Sequence, residues 1–257
     1  MLKGWLGKVE KRACAPSGMR IYAIGDVHGC VDLLERAFAS IDNDIAGLSN
    51  ERVVQVFLGD YVDRGPDTKR TLDLLIDRSR DHETVFVRGN HERLMLDFVD
   101  RPLILPEWWS VGGAQTLLSY GLSLSSQWKP GEEFWLRDAL VAAMPESHRV
   151  FLASLRSAYS CGDFFFTHAG ARPGIPLELQ REDDLMGIRE PFLNSRYDFG
   201  KIVVHGHTPV RAPEVHANRI NIDTGAYATG CLSILLIEDS QLSFRLVSRS
   251  GVTTSTV

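Results

Sequence analysis

Short apolar runs alternate with segments of helical period through the first part of the chain. The run MRIYAIG, from Met19, reads as a buried strand. After it, Leu33, Leu34, Ala37, Phe38 and Ile41 fall on one side of a helix over about 32–45. RVVQVFLG predicts a second strand, a helix follows near 67–79, and ETVFVRG predicts a third strand. This β-α-β-α-β order calls for a sheet with helices packed against it.

The pattern changes over residues 95–158. LPEWWSVGGAQTLLSYGL and FWLRDALVAAMPESHRVFLASL predict mainly helix, interrupted at Gly131 and Pro145. The section reads as a cap or side insertion over a catalytic face. Strand patterns return in DFFFTHAG, KIVVHGH, RINIDTG, CLSILLIED and LSFRLVS, the last two forming a hairpin near Asp239, Ser240 and Gln241. The expected organisation is an N-terminal arm over 1–18, one domain over 19–250, and a flexible tail over 251–257 ending in TTSTV.

A chain of 257 residues, 44% hydrophobic and 24% charged, fits a soluble globular protein with a full core. A net charge of -5 gives no reason to expect nucleic-acid binding. It also means that an anionic substrate must meet local positive charge, from metals or arginines. Cys14, Cys30, Cys161 and Cys231 form no CxxC pair, which suits a reducing, cytoplasmic setting and gives zinc-finger or thioredoxin-like readings no support. No apolar run is long enough for a transmembrane segment, and the basic start MLKGWLGKVEKRACAPSG lacks a signal-peptide core. Leu2, Trp5, Leu6 and Val9 line one side of a short helix beside Lys3, Lys8 and Lys11, weakened by Gly4 and Gly7. The arm is expected to fray or dock on the core, with N-terminal membrane-surface contact as the alternative.

Five apolar runs end in polar chemistry: YAIGDVHG, VFLGDYVDRG, VFVRGNHE, FFFTHAG and VVHGHTPV. Residues at the carboxyl edge of a sheet converge in space although far apart in sequence. Asp26, His28, Asp60, Asn90, His168 and His207 supply oxygen and nitrogen donors suited to Mn, Fe or Zn. A polar ring such as His168, following three phenylalanines, is costly to bury without a partner. Residue chemistry alone does not choose between His205 and His207.

GDVHG at 25–29, GDYVDRG at 59–65 and GNHE at 89–92, followed by HAG at 168–170 and GHTPV at 206–210, resemble the phosphoprotein phosphatase family. These are binuclear, calcineurin-like metallophosphoesterases, and the motif style is that of the bacterial serine/threonine protein phosphatase-like branch. The resemblance extends from residue 20 to about 238. It implies an α+β fold, an α/β/β/α sandwich of mixed sheets with a helical insertion. It also implies two divalent or mixed-valence metal ions, Mn, Fe or Zn. By this analogy Asp26 and His28 bind the first ion, Asp60 bridges both, and Asn90, His168 and His207 complete the second. His207 takes that role through the GHT motif, which leaves His205 as strand-end support. His91 matches the proton donor to the leaving alcohol and Asp63 the carboxylate that orients it, an arrangement with a suitable protonation range. Arg64, Arg88 and, on a looser match in MGIREPF, Arg189 correspond to phosphate-binding arginines, whose forked donors suit phosphate oxygens. Tyr227 in DTGAYATG corresponds to an aromatic near the site.

The implied activity is hydrolysis of phosphoserine and phosphothreonine monoesters, in proteins or peptides, by direct attack of metal-activated water. Alternatives are a symmetrical dinucleoside-tetraphosphate hydrolase, a phosphotyrosine-active phosphatase and a non-enzymatic phosphate-binding protein. Asp63 argues against the first, whose members more often carry Asn there. The chain lacks an SAPNY segment, so neither a regulatory subunit nor toxin sensitivity is inferred.

Overall fold

Met19, Ile21 and Ala23 face one way along the first strand, Tyr22 and Ile24 face the other, and all five are buried. A strand covered on both faces needs a layer on each side, and the rest of the chain provides them. The computed structural model describes residues 13–48, 51–124 and 129–256. The amphipathic stripe of Leu2, Trp5, Leu6 and Val9 therefore lies outside the described residues.

The chain runs β1 (Met19–Ile24), α1 (Val31–Ile45), β2 (Arg52–Phe57), α2 (Thr68–Asp81), β3 (Glu83–Phe86) and α3 (Asn90–Asp100). Four helices follow: α4 (Leu105–Ser110), α5 (Gly113–Ser119), α6 (Glu132–Ala143) and α7 (Glu146–Ser154). Gly131, in a left-handed conformation, and Pro145 stand immediately before α6 and α7. Next come β4 (Ala158–Cys161), β5 (Phe164–Thr167), α8 (Glu182–Gly187), α9 (Glu190–Leu193), β6 (Ile202–His205), β7 (Glu214–Val215) and β8 (Arg219–Asn221). The chain closes with α10 (Ala226–Thr229), β9 (Cys231–Glu238), β10 (Gln241–Ser248) and β11 (Gly251–Thr256).

Two mixed sheets result. One has the order β11-β10-β9-β1-β2-β3 and the other β4-β5-β6-β8-β7. Within them β1, β2 and β3 are parallel, as are β5, β6 and β8. Both trios therefore deliver their carboxyl ends to a common edge, where the polar motifs begin. Between the sheets, Ile21, Ala23, Val54, Val56, Leu235 and Ile237 meet Phe164, Phe166, Val204, Ile220 and Ile222. Leu33, Leu34, Phe38, Leu72 and Leu75 cover the outer face of the first sheet, and Leu185, Ile188 and Phe192 cover Phe165 and Val203 of the second. The architecture is the α/β/β/α sandwich.

Leu105, Trp108, Leu117, Leu136, Leu140, Phe151 and Leu152 of the helical section share one core with Phe57, Tyr61 and Met95. The section is thus part of the outer helical layer. Residues 251–256 correct an expectation. Instead of a flexible tail they form β11, antiparallel to β10 from Ser248↔Gly251 to Ser243↔Thr256. Thr253, Thr254 and Thr256 are β-branched, and that favours an extended edge strand despite their polarity. Among the described residues no helix is long and apolar enough to cross a membrane.

Candidate active site

The loops after β1 and β2 are stitched together at the carboxyl edge. The Val27 and His28 amides both donate to the Asp60 carbonyl, at 3.1 and 2.8 Å, and Gly29 N–H donates to the Tyr61 carbonyl at 2.8 Å. Beneath them Glu92 accepts four backbone amides. Its Oε1 takes Tyr61 and Val62 (2.7 and 3.1 Å), and its Oε2 takes Asp60 and Gly89 (both 2.9 Å). One buried carboxylate so joins the second and third motifs.

The six predicted metal-ligating residues come together here. Ligand atoms of His28, Asp60 and His91 lie within 4.8 Å of one another, as do those of Asp60, His168 and His207. Asp60 is common to both trios. His28 turns Nδ1 to the Val62 carbonyl at 2.9 Å, and His168 turns Nδ1 to the Leu58 carbonyl at 2.9 Å. A proton held there turns each Nε2 inward, 3.4 and 3.3 Å from Asp60 oxygens, where it becomes a lone-pair donor whenever the ring is neutral. Asn90 Oδ1 lies 3.0 Å from His168 Nε2 and 2.8 Å from His207 Nδ1. Asp26 Oδ2 accepts the His207 amide at 3.1 Å, which anchors the third loop to the first.

Two observations fit this pocket to cations. Asp26 Oδ1 and His207 Nε2 are buried without a hydrogen-bond partner, an arrangement that costs free energy unless something else binds there. Close backbone approach also leaves the carboxylates no other space. A Cβ on Gly89 would lie 2.1 Å from Asp60 Oδ1, and one on Gly206 2.1 Å from Asp26 Oδ1. Backbone strain gathers at the same place: His28, Asp60, Asp63, Arg64 and His207 all hold positive φ, from 46° to 69°. Such conformations are uncommon for side chains with a Cβ and cluster at functional sites.

Electrostatics agrees with a cation-seeking cluster. Burial pushes the rings of His28 and His207 down to about 3, so both stay neutral donors. His168 is also penalised by burial, but the Asp60 carboxylate overrides this and raises it to about 10. Burial likewise works against the charge on Asp60, yet His168 and His91 hold its carboxyl well below the ordinary range. Burial and the neighbouring Asp223 push Asp26 upward. Without metal, a proton on His168 balances the carboxylates; a divalent cation would replace it.

His91 belongs to the first trio and also meets Asp63. Its Nε2 is 3.8 Å from Asp60 Oδ2, while its Nδ1 lies 2.8 Å from Asp63 Oδ2. Burial lowers its basicity, but Asp60 and Asp63 outweigh that and raise it. Around the cluster, the Arg64 guanidinium lies 4.7 Å over the Tyr227 ring, and that ring meets His28 edge-on at 5.2 Å. Arg189 is exposed at the start of α9, close enough for its charge to depress His207. Arg88 donates from Nη2 to the Leu155 carbonyl at 3.3 Å, and its buried Nε has no partner. His205 is buried, with Nδ1 3.0 Å from the Gly206 carbonyl and its ring against Phe192.

Sequence reasoning missed Glu92, Asp223, Trp108 and Thr116. Glu92 lies inside the GNHE motif, and Asp223 follows the apolar run RINI as the other acids follow theirs. Trp108 and Thr116 sit within helical pattern and carried no such signal.

The calcineurin-like phosphoesterase family profile matches residues 19–232. The bis(5'-nucleosyl)-tetraphosphatase PrpE [asymmetrical] of Anoxybacillus flavithermus is 27% identical over 82% of this chain and 88% of its own. The serine/threonine-protein phosphatase 1 of Salmonella typhimurium is 27% identical over 90% of this chain and 98% of its own. A cold-active protein-tyrosine phosphatase from a psychrophilic Shewanella has the same fold, with a TM-score of 0.60 at 15% identity over 95% of this chain and 83% of its own. Taken with the two-sheet sandwich and the cluster at its carboxyl edge, the match makes this chain a member of the calcineurin-like phosphoesterase family, a metallophosphoesterase.

Proposed function

We propose that this metallophosphoesterase hydrolyses phosphoserine and phosphothreonine monoesters in proteins or peptides. The observation that carries the reading is the Asp63–His91 pair, 2.8 Å apart and buried. An alkyl alcohol leaves poorly as its anion, so its ester gains most from a proton donor. Cleavage of a nucleoside polyphosphate expels a phosphate group, already a stable anion, and has less need of one.

Asp26, His28 and Asp60 would hold one cation, and Asp60, Asn90, His168 and His207 the other; Mn, Fe and Zn all suit these donors. When bound, such ions supply Lewis acidity toward phosphate oxygens and lower the pKa of water. Arg64 and Arg189 bind the non-bridging oxygens, with Arg88 as a further donor. His91 Nε2 hands its proton to the leaving oxygen, while Asp63 fixes the ring and stabilises its charged form.

A groove of about 320 Å³ opens beside Asn90, lined in part by Arg93, Asp97, Glu107 and Asp183. Three carboxylates against one guanidinium repel a tetraphosphate chain and suit a peptide. The second reading, a dinucleoside-tetraphosphate hydrolase, is supported by the relatives named PrpE. Their name specifies the asymmetrical reaction, whereas sequence reasoning considered the symmetrical one. Phosphotyrosine peptides test a third substrate class.

The deciding experiment compares Mn-loaded protein and its His91→Ala variant on phosphoserine peptide, phosphotyrosine peptide and dinucleoside tetraphosphate. The wild type is expected to favour phosphoserine. The variant is expected to lose on the order of 10²–10⁴-fold in kcat there. Preference for the dinucleotide, with little effect of the substitution, would support the second reading.

A further inference from the structure

Asp63 is held from the helical section as well as by His91. Trp108, wholly buried on α4, donates Nε1–H to Asp63 Oδ2 at 2.9 Å. Thr116, wholly buried on α5, donates its hydroxyl to Asp63 Oδ1 at 2.6 Å. The same hydroxyl accepts the Asp63 amide at 3.0 Å and lies 3.0 Å from Thr68 Oγ1. Both carboxylate oxygens are thereby fixed from one side, and only Oδ2 is shared with His91.

The turn between α4 and α5 grips the next residue as well. Arg64 N–H donates to the Gly112 carbonyl at 3.2 Å, and Arg64 Nε to the Val111 carbonyl at 3.3 Å. Gly112 has φ +114°, and a Cβ there would lie 2.7 Å from Arg64 N. On Gly113 a Cβ would lie 2.4 Å from the Trp108 ring. Trp108 is itself stacked on Phe98 of α3, with centroids 4.8 Å apart. The segment 108–116 thus packs directly against the strained Asp63–Arg64 pair.

We infer that Trp108 and Thr116 are positioning residues for proton donation: they hold the Asp63 carboxylate, and through it the His91 ring, in the donating orientation. The inference rests on the acid role proposed for His91. A carboxylate hydrogen-bonded only by His91 could rotate about its Cβ–Cγ bond and carry the ring with it. Two donors with fixed directions, placed by a rigid helical layer, prevent that rotation. The helical section therefore acts on the chemistry from behind the site.

The test compares an alkyl phosphate, glycerol 2-phosphate, with 4-nitrophenyl phosphate, whose leaving group needs little protonation. Thr116→Val is expected to lower kcat on the alkyl ester on the order of tenfold and on the nitrophenyl ester by less than about twofold. Thr116→Ser, which keeps the hydroxyl, is expected to restore the wild-type ratio. Trp108→Phe keeps the ring stack, is expected to show the same selective loss, and carries the comparison if Thr116→Val does not fold. In a His91→Ala background neither substitution is expected to lower kcat further. Equal losses on both esters, or a further loss in that background, would overturn the positioning role while leaving the acid role intact. If His91→Ala itself lowers both esters equally, the acid role falls and this inference falls with it.

Discussion

Glu92 shows how single residues set this site. Burial and the nearby Asp60 push its carboxyl up to about 7, while four amides share its two oxygens. Those amides belong to residues 60–62 and 89, so the carboxylate fixes the backbone that carries Asp60 and precedes Asn90. Gly206 sets the opposite wall, because its missing Cβ is the space that Asp26 Oδ1 occupies. Gly206→Ala must push Asp26 aside. Its Mn²⁺ affinity, measured by calorimetric titration, is expected to fall about 10- to 100-fold with little change in far-ultraviolet circular dichroism. Unchanged affinity would mean that Asp26 is not a ligand. At this scale much was legible: the acids and imidazoles follow apolar runs, where a structural role alone explains them poorly. Residues that act through them were not legible, because an indole or hydroxyl in a helical pattern looks like ordinary packing.

At the scale of elements, the parallel strands β1, β2, β5 and β6 were readable as apolar runs, and α1 and α2 as amphipathic periods. The observed bounds of α1, Val31–Ile45, differ by one residue from expectation. The weak signals were the edges. The two-residue β7 and the polar β11 have no apolar pattern, since an exposed edge strand buries little and is held by its ladder. Phe166 represents the opposite case. It is fully buried between the sheets, on the strand that leads to His168. Phe166→Ala is expected to lower the unfolding free energy by about 3–5 kcal/mol in urea titrations. A cost below about 1 kcal/mol would show that the inter-sheet core relaxes around the gap.

For the whole molecule, the two sheets bring together loops from residues 26 to 207, a convergence that the order of apolar runs implied but could not measure. Stability at this scale has its own pH dependence, far from the site. Asp44 is penalised by partial burial, but hydrogen bonds from Tyr22 and Arg245 hold its carboxyl below the ordinary 3.8. A carboxyl more acidic in the folded state stabilises the fold above its unfolded value and loses that contribution as pH falls through the folded one. Arg245→Met is therefore expected to lower the melting temperature near neutral pH and to shrink the acid-induced fall in melting temperature below about pH 4. An unaltered acid limb would assign the fall to other carboxyls. Proton donation, phosphate binding and the positioning of Asp63 all presuppose a pair of cations around Asp60. The most direct measurement is the anomalous scattering of crystals grown with Mn²⁺. Two peaks about 3.5–4 Å apart, both contacting Asp60, with His28 and Asp26 on one and Asn90, His168 and His207 on the other, are the predicted result. A single peak, or two peaks with Asp60 touching neither, would contradict it.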